Sequence, residues 1–577
     1  MSHAKAENRR TPTRLEAFVF RFKTFLLQLK RSLIDTFFAP VSRFDKGNSL
    51  SARKVVAESR TPLWTETEPE ERFLVAGKIN NLRIAARELD GVEIPAGEVF
   101  SFWKHIGRAS RLRGYVAGRE LREGCIIPNV GGGLCQISNA LYDAALDADL
   151  EIIERHAHTQ VIAGSLAERG RDATVCWNYV DLRFRSAQPL RIEASLDEKD
   201  LTVRLRGERN GGGKLNKLTR AVVHSDHPRS CATCEMDCHR GVPKPVDTNF
   251  DRTAFLVDEV WPEFDEYIQN TKRKRDQLFL PLDGKRFRKA NYAWSTGGFG
   301  AVQQSLLTTA VRSYRSHRLA AQGAARQKNL LAMYERLAES YARRLKFDVL
   351  HVVVQQNLLP FLWKAGHLGG RTFEVLMTAL PINELQRTLD AAAKLHPESK
   401  TLGDFRAEAW LAEAETDALS HAQKIITPHA HIASLFRSRS ELVPWKMPEQ
   451  MTRVSSNNPK PVIVFPASTV GRKGCHELRE AIRGLDVKLL TLGPYIESAD
   501  FWNGLDVERG GDDWLERADI VVLPAHVEHR PRRLFAAAAR GVPVITTPNC
   551  GVSDMNVAHL TPAGDAVALR RKIEEML

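Results

Sequence analysis

The sequence predicts a multidomain chain, an α+β domain followed by α/β structure made of two parallel-sheet units. Three observations predict it. The 577 residues exceed what one hydrophobic core supports, which is on the order of 250–300 residues. Between about 70 and 210, short β-rich pieces (GEVFSFW, TVCWNYVDLRFR, LRIEASL) surround helical stretches near 72–89 and 135–147. From about 252 onward, apolar runs such as VLHVVV, PVIVFPA, ADIVVLP and GVPVITTP alternate with helical stretches, the pattern of buried parallel strands.

The elements follow in order. Residues 1–45 hold a basic amphipathic helix. Leu15, Phe18, Phe22, Phe25, Leu29 and Leu33 recur at three and four, with Arg21, Lys23, Lys30 and Arg31 among them. Such a helix can lie in a bilayer interface, so residues 14–38 are expected to meet an anionic membrane surface; packing on the chain's own core is the other reading. Residues 70–210 form the α+β domain. Residues 211–250 are a Gly-rich linker and a Cys/His cluster. Residues 251–450 and 458–577 are the two parallel-sheet units, divided near SSNNPKP.

Composition narrows the function classes. The net charge of +13 is spread along the chain, and no RNP, zinc-finger or homeodomain pattern accompanies it, so nucleic acid is not an expected partner. No secretory signal opens the sequence and no window reaches ~18 apolar residues. The expectation is a cytoplasmic protein with reduced thiols, peripheral on the inner face of the cytoplasmic membrane.

One motif carries thiol chemistry. In NVGGGLCQISNALYDAAL, glycines turn the chain into a helix that opens with Cys135. The positive end of a helix dipole favours a thiolate, and open N–H groups there can hold an oxyanion. Downstream, EIIERHAHTQ offers His156 and His158, which share a face if the segment is extended, and Asp172 is a candidate to orient either base. Gln136 and Ser138 could add hydrogen bonds. A small core cysteine is the plainer reading.

A second cluster, HSDHPRSCATCEMDCHR, packs Cys231, Cys234 and Cys238 beside His224 and His227. Three thiolates with His227 or His224 suit a zinc ion, and the thiolates alone suit an iron–sulfur cluster. A redox pair or unligated thiols remain open. In the last unit, Arg472, Lys473 and Gly474 follow a strand, and Glu528 follows another; basic side chains at the carboxyl ends of such strands favour a diphosphate. Gly297 and Gly298, in NYAWSTGGFG, allow close backbone approach to a donor.

Two resemblances sharpen these readings. Residues 93–195, with GGG-Leu-Cys-Gln-x-Ser-x-x-Leu-Tyr and Glu-Arg-His-x-His, resemble a VanW domain. Some members of that family are linked to L,D-transpeptidation, which implies Cys135 as nucleophile and His156 or His158 as base. From Arg472 to the segment AAAARGVPVITTP, the chain resembles the donor-binding domain of retaining GT-B glycosyltransferases, and 415–436 resembles the end of their acceptor-side domain. The resemblance implies a nucleotide-sugar donor, Lys473 on its diphosphate and Glu528 on its sugar, with no divalent cation needed there. Ala536 stands where a second glutamate is usual, and Ser468 where a basic residue is. The expected function is sugar transfer to a lipid-linked or polysaccharide precursor of the envelope. The alternatives are a Cys135-centred acyl or peptidyl transferase with a glycan-binding C-terminal module, or a non-catalytic precursor-binding scaffold.

Overall fold

A computed structural model describes residues 14–38, 40–66, 68–122, 125–158, 160–161, 165–209, 223–224, 229–230, 250–316, 324–403, 406–451, 458–552 and 558–577. Cys231, Cys234, Cys238 and His227, the expected metal ligands, lie outside these residues, as does most of the 211–250 linker. The chain divides into two units. The first takes the described residues up to Arg252 with Lys346–Leu350 and Ala365–Arg371; the second takes Thr253–Leu345, His351–Lys364 and Thr372–Leu577. Two short pieces of the expected 251–450 unit thus group with the first.

In the first unit, α1 (Arg14–Leu33) precedes β1 (Val55–Pro62) and α2 (Pro69–Leu89). Then come β2 (Glu93–Ile94), β3 (Val99–Ser101), α3 (Phe102–Ile106), β4 (Ala117–Arg122), β5 (Cys125–Val130) and α4 (Leu134–Asp147). The remaining strands are β6 (Glu151–Glu154), β7 (Gln160–Val161), β8 (Arg183–Arg185), β9 (Leu190–Leu196), β10 (Asp200–Arg206), β11 (Val223–His224) and β12 (Arg229–Ser230). One antiparallel sheet runs β1-β10-β9-β2, and a second runs β3-β8-β6. The antiparallel β4–β5 hairpin gains β12 as a parallel third strand.

Helix α4 forms because apolar residues repeat at helical spacing: Leu134, Ile137, Ala140, Leu141, Ala144 and Ala145 are all buried. That stripe packs on β1, β10 and α2. Helix α1 behaves otherwise. Its ties to the unit are polar: the Gln28 side chain donates to Trp177 O at 3.2 Å, Asn178 donates to Gln28 O at 3.1 Å, and Arg31 pairs with Glu154. Its apolar side chains Phe18, Phe20, Phe22 and Phe25 stay exposed.

The second unit holds two parallel sheets. The strands β13 (Arg252–Leu256), β14 (Gln277–Leu280), β15 (Ala301–Gln304), β16 (Val349–Gln355), β17 (Thr372–Leu376), β18 (Lys424–Thr427) and β19 (Ser440–Leu442) lie in the order β15-β14-β13-β16-β17-β18-β19. The strands β20 (Val462–Phe465), β21 (Lys488–Thr491), β22 (Val507–Arg509), β23 (Ile520–Leu523), β24 (Val544–Thr546) and β25 (Ala558–Leu560) lie in the order β22-β21-β20-β23-β24-β25. Both orders start 3-2-1-4-5-6, which is doubly wound topology. The central strands VIVF of β20 and IVVL of β23 are buried at every position, as strands covered on both faces must be. The predicted class, α+β followed by two parallel-sheet units, is the class observed.

Candidate functional site

The glycine turn before Cys135 has a steric cause. Gly133 caps α4 at φ 99, and a Cβ there would come within 2.2 Å of Lys78 Cγ. At Gly132 a Cβ would come within 2.5 Å of the Gly118 backbone. The β4 backbone and the stem of Lys78 therefore crowd the turn, and only glycine passes. Asn81 secures it by donating to Gly132 O at 2.9 Å. Burial pushes the Lys78 ammonium down to about 7, and Arg119 acts in the same direction.

Cys135 follows as the second residue of α4, partly buried, with its thiol 3.9 Å from Val175 O. The segment after Gly170 is bound down onto the helix. Ser138 donates to Ala173 O at 2.6 Å, Ala173 N–H donates to Asn139 Oδ1 at 2.8 Å, and Arg171 reaches Asp147 at 2.7 Å and also pairs with Asp143. Asp172 is thereby fixed, 3% exposed. Its Oδ1 accepts from Arg155 Nη2 at 2.6 Å; its Oδ2 accepts from the His158 backbone N–H at 2.6 Å and lies 2.7 Å from His158 Nδ1. Arg155 itself lies over the Tyr142 ring at 5.2 Å.

His158 then joins carboxylate to thiol. Burial disfavours its charge, but the hydrogen bonds with Asp172 and with Cys135 prevail and raise it to about 9. For Asp172 the burial penalty is outweighed by the same bond to His158, so the carboxyl sits below its ordinary value. Asp172 thus holds Nδ1 of the ring. His156 is not equivalent. Strand β6 ends at Glu154, so the two histidines do not alternate along one face. The His156 side chain is 52% exposed and lies 3.4 Å from Glu154, whereas His158 is held by Asp172. Gln136 is also turned away, donating to Pro62 O at 2.9 Å and Thr61 Oγ1 at 3.0 Å. An open hollow of about 540 Å³ touches Leu146 and Asp147, roughly 16 Å along the helix from the thiol at 1.5 Å per residue.

A second constellation flanks the switch point between β20 and β23, where such sheets bind ligands. Lys473 follows β20 and Glu528 follows β23. The Lys473 ammonium donates to Glu528 Oε2 at 2.8 Å and Val527 O at 3.1 Å. Burial lowers the Lys473 ammonium, and Glu528 partly restores it; Glu528 is held below the usual carboxylate range by Lys473 against its own burial. Gly474 is obligatory, since a Cβ would come within 2.0 Å of Pro524 O. Glu497 ties the turn by accepting from Gly471 N–H at 2.8 Å and from Ser399 Oγ at 2.7 Å. His429 Nδ1 accepts from Ile432 N–H, which leaves Nε2 to donate to Glu528 O at 3.0 Å. Burial keeps this ring neutral, near 4.

Gly297 and Gly298 come before β15, at the amino edge of the first sheet. There Gly297 O accepts from Lys272 Nζ at 2.6 Å. That edge is opposite to the one where doubly wound sheets hold ligands, so these glycines do not face a donor at the switch point. The residues at the corresponding switch point of the first sheet escaped the sequence reading. Asp258, after β13, binds Arg312 at 2.5 Å and Asn357 at 2.8 Å. The available signal was a carboxylate directly after an apolar strand, FLVDE.

Comparison with known proteins agrees with the first unit's assignment. Residues 77–206 match the family model described as VanW like protein, so the VanW domain expected there is present. Over 144 residues the chain is 31% identical to the uncharacterized protein YoaR of Bacillus subtilis, covering 25% of this chain and 47% of that one. Over 115 residues it is 35% identical to the vancomycin B-type resistance protein VanW of Enterococcus faecalis, covering 19% and 41%. The chain thus spans less than half the length of these curated relatives. Solved structures similar to it include a sucrose-phosphate synthase from Thermosynechococcus elongatus, with TM-score 0.38 and 14% identity over 56% of this chain and 89% of that one. Another is Anabaena HepE in complex with UDP and glucose, with TM-score 0.32 and 14% identity over 56% and 89%.

Proposed function

We propose that Cys135 is the nucleophile of an acyl or peptidyl transfer, with His158 as its base and Asp172 as the residue that orients the base. The carrying observation is the bond of the Asp172 carboxylate to His158, a ring whose charge the neighbouring Cys135 thiol also favours. His158 takes the thiol proton, the sulfur attacks a carbonyl, and the leaving group receives the proton from His158. A second acceptor then releases the acyl group from sulfur. The α4 N-terminus, whose Gly133 cap supplies no side chain, offers its N–H groups to the oxyanion. The test is intact-mass and peptide mapping after exposure to a peptidyl ester. A covalent adduct on Cys135 that His158→Ala abolishes is expected; an unmodified Cys135, or labelling indifferent to His158, removes the proposal.

A second reading concerns the C-terminal half, favoured by the cation–carboxylate pair at the β20/β23 switch point. There Lys473 would neutralise the diphosphate of a nucleotide sugar and Glu528 would meet the sugar, in retaining transfer to a lipid-linked or polysaccharide precursor of the envelope. The exposed phenylalanines of α1 would rest on the anionic cytosolic face of the membrane, near such an acceptor. No helix among the described residues is long and apolar enough to cross a membrane. The Asp172 chemistry and this one separate cleanly. A thermal-shift panel of UDP-, GDP-, dTDP- and CMP-sugars should show stabilisation that Lys473→Ala removes and Cys135→Ala leaves intact; no shift across the panel would refute sugar transfer.

A further inference from the structure

We propose that His396, Glu477 and His526 form a zinc site in the C-terminal half. His396 directly follows the helix Ile382–Leu395 of the first parallel-sheet half. Glu477 lies in the first turn of the helix Cys475–Ala481, one turn after Lys473, and His526 lies three residues past β23. One ligand atom from each lies within 4.8 Å of the other two.

His396 Nε2 and His526 Nε2 converge on one oxygen, Glu477 Oε1, at 2.8 and 2.7 Å. The second oxygen, Glu477 Oε2, is buried without a hydrogen-bond partner, and the residue is 2% exposed. Buried carboxylate oxygens rarely stay unsatisfied. A cation seated between the two imidazoles and the carboxylate draws on both oxygens and removes the deficit. Two imidazole nitrogens with one carboxylate favour zinc over calcium or magnesium, which take oxygen donors. At zinc–ligand bonds of about 2.0–2.1 Å, tetrahedral ligand atoms stand roughly 3.3 Å apart, so the cluster opens by about half an ångström to admit the ion. The outer positions are furnished too. His396 Nδ1 lies 3.4 Å from Glu398, the kind of support that orients a ligating histidine, and Asn549 holds the His526 backbone carbonyl at 2.9 Å.

The ion would act structurally. Glu477 sits on the helix after the Lys473 turn, and His526 sits on the loop that carries Glu528. Val527 N–H already donates to Arg472 O at 3.1 Å. A zinc bridge would fix the spacing of Lys473 and Glu528 and join the two sheet halves through His396.

The experiment uses the full chain with Cys231, Cys234 and Cys238 changed to serine, so that the cysteine cluster cannot contribute. After incubation with zinc and gel filtration, elemental analysis should find one equivalent. Glu477→Gln, which keeps the shape of the side chain, should weaken binding at least 100-fold, as should His526→Gln, with folding checked by circular dichroism. If the variants fail to fold, zinc-edge X-ray absorption of the protein carrying only the three cysteine-to-serine changes decides, with a shell of nitrogen and oxygen only as the expected result. No retained zinc, retention indifferent to Glu477, or sulfur in the zinc shell would overturn the site and leave a hydrogen-bonded cluster.

Discussion

Replacing Asp172 by asparagine tests the thiol centre most directly. His158 is raised from its ordinary 6.5 to about 9. At about 1.4 kcal/mol per pH unit, that is roughly 3 kcal/mol favouring the imidazolium. Burial opposes the shift, and two partners supply it, Asp172 and the Cys135 sulfur. The two partners together supply more than that net, since they also offset burial, so if each supplies half the Asp172→Asn substitution removes at least roughly 1.5 kcal/mol, about tenfold or more in the population of the thiolate–imidazolium pair. The assay is the rate of iodoacetamide alkylation of Cys135 from pH 5 to 9, read peptide by peptide. Cys125 and Cys176, cysteines of intermediate burial outside any disulfide, serve as internal references. In the parent protein Cys135 should react faster than both references below pH 8. In Asp172→Asn its rate near pH 7 should fall about tenfold or more while theirs stay put. Equal rates for all three thiols in the parent, or an unchanged Cys135 profile in the variant, would refute the linked triad.

Other expectations follow from the same contacts. Gly133→Ala places a Cβ against Lys78 at a left-handed φ, and should cost on the order of 1–3 kcal/mol, seen as a lower midpoint in urea denaturation. The His158 contribution to stability is fully present below about pH 6.5 and is lost as pH rises through about 9, so the parent's melting temperature should decline across that window more steeply than that of His158→Gln. Glu497, held near 2, acts oppositely: its contribution is present above about 4.5 and fades as pH falls toward 2, which acid titration of the melting temperature should reveal. Exchanging Phe18, Phe22 and Phe25 for serine should abolish flotation with anionic liposomes while circular dichroism stays unchanged; equal flotation would remove the membrane reading.

Local physics made much of this protein legible from its sequence alone. The buried runs of β20 and β23 announced parallel strands because a strand covered on both faces must be apolar throughout. The stripe from Leu134 to Ala145 announced α4, and the glycines announced the tight turn that delivers Cys135. Lys473 and Glu528 were placed after strands, which in a doubly wound sheet is where ligands gather. Only the tertiary structure decided the partners. His158 rather than His156 meets Asp172 because β6 stops at Glu154 and the alternation assumed for the pair ends with it. Asp172 meets His158 because Ser138 and Asn139, thirty-odd residues earlier, pin its segment to the helix, and Arg155 neutralises it from the far side. The convergence of His396, Glu477 and His526 joins residues up to 130 positions apart, a distance across which composition and periodicity carry no signal. Side-chain period reports which face of an element is covered; which distant charge covers it is set by how the chain folds back, and that is a property of the assembled core.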